Sequence, residues 1–203
     1  MSVLPVTLAI DTAAPRLQLA LLRADGSTDI SIDEIATGHA ELIFGRIAAL
    51  LARNGMDYPG LQRVVTTTGP GSFTGLRIGL SAARGIGLAR SIPVIGVPSL
   101  LALSLAGTGP VTVLLDARRE EAYFQTFSAP GIADGPPRLL PMAQAQQSVL
   151  PGSVLITTPF VDIAAMARYG ALADPLAHPP EAAYVRDADA KPQTAARIER
   201  LRS

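Results

Sequence analysis

Short apolar runs separated by turn residues, and no single sustained period, set the rhythm of this chain. Val6–Ile10 is an apolar run that closes on Asp11, and Leu17–Leu22 is a second one after the turn Ala14-Pro15-Arg16. Asp25-Gly26 is a hairpin signal, so a third strand is predicted near Ile30–Ile35 and the three strands read as antiparallel. The pattern then changes to a helical period over His39–Asn54, stopped by Gly55. Arg63–Thr68 is a further strand, and the loop Gly69-Pro70-Gly71-Ser72-Phe73-Thr74-Gly75 opens a second helix over Leu76–Arg90. Pro93–Val97 reads as a strand, Leu100–Ala106 as a short helix, Val111–Leu115 as a strand ending at Asp116, and Ala122–Phe127 as its returning partner. Pro130–Pro141 reads as an exposed Pro/Gly-rich loop, and the charged stretch from about Arg186 as a frayed tail.

A repeat underlies this order. Asp11 ends a strand and a returning strand starts at Leu17; Asp116 ends a strand and a returning strand starts at Ala122. The fold class this implies is α/β, with mixed sheets and helices in two similar halves, residues 1–107 and a shorter 108–203.

Both long helices carry more apolar or small surface than one sheet contact requires. The first has Leu42, Ile43, Phe44, Ile47, Leu50 and Leu51 against a narrow polar stripe of Glu41, Arg46 and Arg53. In the second, Gly79, Ala83 and Gly87 fall four apart on one face, and Ser81, Gly85 and Ala89 on another. Each helical glycine costs up to about 1 kcal/mol relative to alanine. Close packing must offset that, either within this chain or against another subunit.

Composition narrows the function classes. Hydrophobic residues make up 48% of the 203 and charged residues 17%, enough for a core with apolar surface left for a partner. Seventeen basic and seventeen acidic residues give no net charge, which disfavours nucleic-acid binding by this chain alone. With no cysteine there is no disulfide, thiolate nucleophile or Cys-ligated metal. No signal peptide is read at the N-terminus, and cytoplasmic location is the default. The uncharged run Ser91–Leu115 is long enough to span a bilayer, but Pro93, Pro98 and Pro110 break it, so no membrane span is expected.

Catalytic groupings are scarce. The glycines 69, 71 and 75 fit neither a Walker loop, which needs a Lys and a hydroxyl residue after the last Gly, nor the dinucleotide spacing. Pro70 also removes an amide that a phosphate would use. A tight strand-to-helix turn is therefore preferred over a phosphate cradle. Any nucleotide or phosphate contact would fall on Asp11, Thr12, Gly69, Gly71 and Ser72. His39 marks a helix start with a capping or surface role, His178 a loop, and the two show no metal-ligand spacing. Ser72 lacks a nucleophile elbow and reads as a turn residue. After Asp116 the bulky Arg118 and Arg119 stand where a phosphate loop would place glycines. Neither a cofactor nor a metal is expected.

Four segments carry a resemblance. LAIDTA at Leu8–Ala13, GPGSFTGLRIG at Gly69–Gly79, PVIGVPSL at Pro93–Leu100 and LLDARREEAYF at Leu114–Phe124 resemble the TsaB family, with a fainter match of AAYVR at Ala182–Arg186. The matches run in order over the first two-thirds of the chain plus its end; residues 129–180 match nothing in the family pattern.

The resemblance implies an actin-like fold of two ribonuclease H-like halves and a subunit that carries no chemistry itself. Its implied partner is TsaD, which moves threonylcarbamoyl onto the adenosine beside the tRNA anticodon, with the ATPase TsaE completing the assembly. Pairing with TsaD, or a homodimer through the same surface, would use the two helices of the first half. The residues this points to are Leu42, Ile43, Phe44, Ile47, Leu50, Leu51, Leu76, Gly79, Leu80, Ala83 and Gly87. tRNA would be met indirectly, through the complex. The alternative, a stand-alone actin-like phosphotransferase or peptidase, lacks the metal-binding histidine pair that the resemblance assigns to TsaD and meets the Arg118-Arg119 interruption.

Overall fold

A computed structural model describes residues 3–183. The expected motif at Ala182–Arg186 reaches past this limit from Tyr184 onward, and the expected tail lies outside the described residues.

The first half builds one five-stranded sheet. Its strands are β1 (Thr7–Asp11), β2 (Leu17–Leu22), β3 (Thr28–Asp33), β4 (Arg63–Gly69) and β5 (Val94–Pro98), in the order β3-β2-β1-β4-β5. β1, β2 and β3 pair antiparallel, whereas β4 and β5 join parallel to β1. The helix α1 (His39–Arg53) precedes β4, and α2 (Phe73–Arg90) connects β4 to β5. α2 begins three residues before its expected start, because the Ser72 hydroxyl caps it by accepting from the Gly75 amide at 3.2 Å.

Every residue of β1 and β2 is buried, because both sheet faces are covered. Alternation sends Leu8, Ile10, Leu17, Leu19 and Leu21 to the side of α1 and α2, where they meet Ile43, Ile47, Leu50, Leu51, Ala82, Ala83 and Ile86. Ala9, Ala20, Leu22 and Val65 lie in the opposite core, which includes α3 (Ser99–Ser104), the second sheet and α5 (Ile163–Leu172).

The second half uses β6 (Val111–Asp116), β7 (Glu121–Ala129), β8 (Ile132–Ala133), β9 (Arg138–Pro141), α4 (Met142–Gln147) and β10 (Val154–Ile156). β10 runs parallel to β6, β6 antiparallel to β7, and β7 antiparallel to both β8 and β9. The path β9-β7-β6-β10 repeats β3-β2-β1-β4, with α4 in the place of α1. The molecule therefore has the two-halved actin-like α/β architecture. The expected exposed loop over 130–141 holds two strands instead. Leu139 and Leu140 pair with Tyr123 and Ala122, and Leu140 packs on the small core of Leu114, Ala122 and Phe124.

α5 breaks the symmetry. It follows β10 in sequence but packs on the first sheet, where Gly170 lies so close to Val65 that an added Cβ would meet its methyl at 2.3 Å. Arg63, at the start of β4, donates to the last carbonyls of α5, Gly170 O at 2.9 Å and Ala173 O at 2.6 Å. The halves thus share one core. Among the described residues no helix is long and apolar enough to cross a membrane.

Candidate functional site

Two features stand out, a cleft between the halves and an uncovered helical face. The cleft, of about 410 Å³, opens where β1, β4, β5 and β6 end. Its walls are mostly apolar, including Ala13, Ala14, Pro70, Leu103, Leu115 and Val161, and its polar lining residues are Asp11, His39, Ser72, Ser99, Asp116, Arg118 and Tyr123.

Asp11 is fully buried at the end of β1. Burial pushes its carboxyl above the ordinary value, and three donors oppose this: the Thr67 hydroxyl at 2.7 Å, the Ala13 amide at 3.2 Å and the Gln18 side-chain amide at 3.3 Å. The carboxyl is thus occupied as a structural acceptor. The Gly-rich loop packs onto the turn that follows it. Ser72 N–H donates to Ala13 O at 2.8 Å, and the Thr12 hydroxyl donates to Gly75 O at 2.7 Å. A Cβ on Gly75 would lie 1.9 Å from Thr12 O, and one on Gly71 would lie 2.8 Å from Ala13 Cβ. These glycines let two backbones touch.

Of the five expected phosphate contacts, Asp11, Gly71 and Ser72 line the cleft. Thr12 and Gly69 do not. The Thr12 hydroxyl turns to Gly75, and Gly69, at φ +113, packs under Ala183 O, whose residue donates its N–H to Thr68 O at 2.8 Å. His39 also departs from the surface role expected of it, being buried with Nε2 3.1 Å from Arg16 O.

The second turn differs. Asp116 is exposed and accepts from Arg118 N–H at 2.7 Å. Arg118, Arg119 and Glu120 all adopt left-handed backbone, φ 63, 55 and 60. That conformation is costly for side-chain-bearing residues. It brings Arg118 into the cleft lining opposite the Asp11 turn. Ser99, missed in the sequence, follows β5, and its buried hydroxyl has no partner. The available signal was positional, since clefts in α/β folds lie at the carboxyl ends of parallel strands.

The helical face corrects the expected interface. Ile43, Ile47, Leu50, Leu51, Leu76, Leu80 and Ala83 are buried in the chain itself, with Leu42 half-buried against the same core. A Cβ on Gly79 would meet Thr12 Oγ1 at 2.5 Å, and one on Gly87 would meet Val94 Cγ2 at 2.2 Å. The stripe Gly79-Ala83-Gly87 therefore faces the first sheet, because β1 and β5 pass directly beneath it. Of the expected contact residues only Phe44, 53% exposed, lies fully on the outside.

The outer face consists of other residues. Ala40, Phe44, Gly45 and Ala48 on α1, and Phe73, Thr74, Arg77, Ser81, Gly85 and Leu88 on α2, are exposed. Phe44, Phe73, Arg77 and Ser81 border a shallow groove between the helices, with Arg77 stacked 3.8 Å over the Phe73 ring. Nothing lies within 4 Å of a Cβ built on Gly45 or Gly85. Among the described residues no group of three or more His, Asp or Glu side chains is placed to hold a metal.

Known proteins resemble this chain in sequence and in fold. A family model described as TsaD, tRNA N6-adenosine threonylcarbamoyltransferase, matches residues 33–131. An uncharacterized protein of Mycobacterium tuberculosis is 36% identical over 152 residues, 73% of this chain and 69% of that protein. Proteins named tRNA threonylcarbamoyladenosine biosynthesis protein TsaB are 31% identical over 125 residues in Escherichia coli (59% of this chain) and 34% over 119 residues in Bacillus subtilis (57%). These two alignments span about half of each relative, 54% and 52%. YeaZ from Pseudomonas aeruginosa has the same fold, with a TM-score of 0.72 at 22% identity over 91% of this chain and 100% of that one.

Proposed function

Because this chain belongs to the TsaB family, we propose that it serves threonylcarbamoyladenosine formation on tRNA as a non-catalytic subunit, paired with a threonylcarbamoyltransferase. The observation that carries this is the outer face of α1 and α2. Phe44 and Phe73 present rings to solvent there, while Gly45 and Gly85 leave open ground on which another helix could approach closely. A second copy of this chain could meet the same face when the transferase is absent.

A supporting rather than chemical role agrees with the cleft. The Asp11 carboxylate is already held by three donors, and the nearby amides of Ala13, Ser72, Gly75 and Leu76 are spent within the protein. The balanced charge of the chain leaves tRNA contact to the complex. The test is reconstitution with a transferase and tRNA. Modification should require both proteins, and this chain alone should bind tRNA weakly at physiological salt. Modification by the transferase at full rate without this chain, or by this chain alone, would overturn the reading.

A further inference from the structure

The outer face of α1 and α2 is lopsided in charge. On α1 it is small and carries a single acid: Gly45, Ala48 and Ala52 are exposed along one stripe with Glu41. α2 carries Arg77, Arg84 and Arg90 and no acid at all. The other cations beside this face are already engaged. Arg46 and Arg53, on the β3 flank of α1, pair with Asp33 at 2.7 Å and Asp29 at 2.6 Å, and Arg90 donates to Pro59 O at 3.2 Å. Arg77 and Arg84 differ. Both are exposed, and among the described residues neither is paired with a carboxylate. Arg77 lies over the Phe73 ring at 3.8 Å. The positions one turn away, where a helix would supply its own acid, hold Phe73 and Ser81 around Arg77 and Leu80 and Leu88 around Arg84. The two arginines stand two turns, about 10 Å, apart on one side of α2.

Two kinds of partner could cover this face, and the arginine pair treats them differently. A second copy meets it across a two-fold axis, with the same residues on both sides. Such a dimer gathers four guanidinia, two from each copy, against the two Glu41 carboxylates. Covering that excess of cation withdraws it from water without supplying enough partners. A different chain can bring the missing carboxylates. We infer that Arg77 and Arg84 select the transferase over a second copy of this chain. They do so by pairing with two carboxylates that the transferase presents two helical turns apart, beside the apolar contact made by Phe44 and Phe73. The inference rests on the pairing proposed above and adds the chemistry of the partner, a helical face that is both acidic and closely packed.

The test compares the double variant Arg77→Gln/Arg84→Gln with the wild type in two assays: titration against a transferase of the TsaD family, and sedimentation of the chain alone. The variant should melt like the wild type, since neither guanidinium is held by a carboxylate of its own chain. Its pairing with the transferase should weaken about tenfold, and the weakening of that pairing by added salt should be largely lost. Self-association should hold or tighten. Unchanged affinity for the transferase, or an equal weakening of both associations, would overturn the inference. Gly85→Leu keeps this result apart from the fate of the pairing itself. If Gly85→Leu blocks the transferase while the arginine variant binds it normally, the face is the interface and the arginines do not select. If neither variant alters pairing, the face is not the interface and the pairing reading falls with the inference.

Discussion

Two stripes of small residues on α2 meet opposite fates. Gly79, Ala83 and Gly87 lie against the first sheet, where a single added carbon would strike Thr12 or Val94. Ser81, Gly85 and Ala89, equally spaced on another side, face open space. The inner stripe is small because β1 and β5 already occupy the volume. The outer stripe is small with nothing yet against it, and an exposed helix gains no stability from glycine. The difference separates smallness that serves the fold from smallness that serves an encounter.

The largest effect expected is on the inner stripe. Gly79→Leu should destabilise by about 3 kcal/mol or more, lowering the melting temperature by roughly 6–12 °C, since the side chain has no volume to enter. Scanning calorimetry reads this directly; a wild-type melt would break the comparison at its root. The same substitution on the outer stripe should spare the fold. Gly85→Leu should melt at or slightly above the wild-type temperature while transferase pairing weakens roughly ten- to a hundred-fold. Size-exclusion chromatography and titration on one preparation separate the two outcomes, and unaltered pairing would remove Gly85 from the interface.

Asp11 sharpens what the inner side demands. Its folded-state pKa lies above the unfolded value because of burial, so the penalty is absent at pH below about 3.9 and grows as pH rises through the folded value. Asp11→Asn keeps an oxygen for Thr67 and Ala13, and Gln18 can reverse its amide. The variant should be at least as stable as wild type at pH 7, with the advantage fading on acidification. A large loss at pH 7 would show that the charge itself is required.

The smallest effect belongs to the rim of α1. Arg53 pairs with Asp29 at 2.6 Å and holds that carboxyl down at about 2. This stabilisation is fully present above the unfolded carboxylate range and is lost as pH falls toward that lower value. The pair is partly exposed, so Arg53→Ala should cost only roughly 0.2–1 kcal/mol by urea melt.

In the first half β1 and β2 were legible as apolar runs set off by turn residues, whereas β3, the alternating segment TDISID, lies at Thr28–Asp33, two residues before the expected Ile30–Ile35. The Leu17–Leu22 strand was placed at its true limits. The inward side of α2 was not legible: both stripes read as small, and only the sheet beneath decides between them. Seven of the expected contact residues were apolar for the ordinary reason that they fill a core. The Asp11 and Asp116 turns were visible as a repeat, whereas Ser99 lies within the PVIGVPSL segment and was not singled out there, because its orphaned hydroxyl exists only in three dimensions. The last part of the chain was the least legible. α5 (Ile163–Leu172) carries a plain apolar sequence that does not announce the distant sheet it covers.

That crossing helix bears on how the protein is made. Synthesis runs from the N-terminus, and the first five strands emerge well before residues 163–172 are added. Until then Ala9, Ala20, Leu22 and Val65 have no α5 to bury them. The nascent first half therefore leaves the ribosome with this face covered only in part, by α3, a state prone to wrong contacts and to capture by chaperones. Chains stopped short of Ile163 should stay in that state and aggregate, even though every strand of the first sheet is already present.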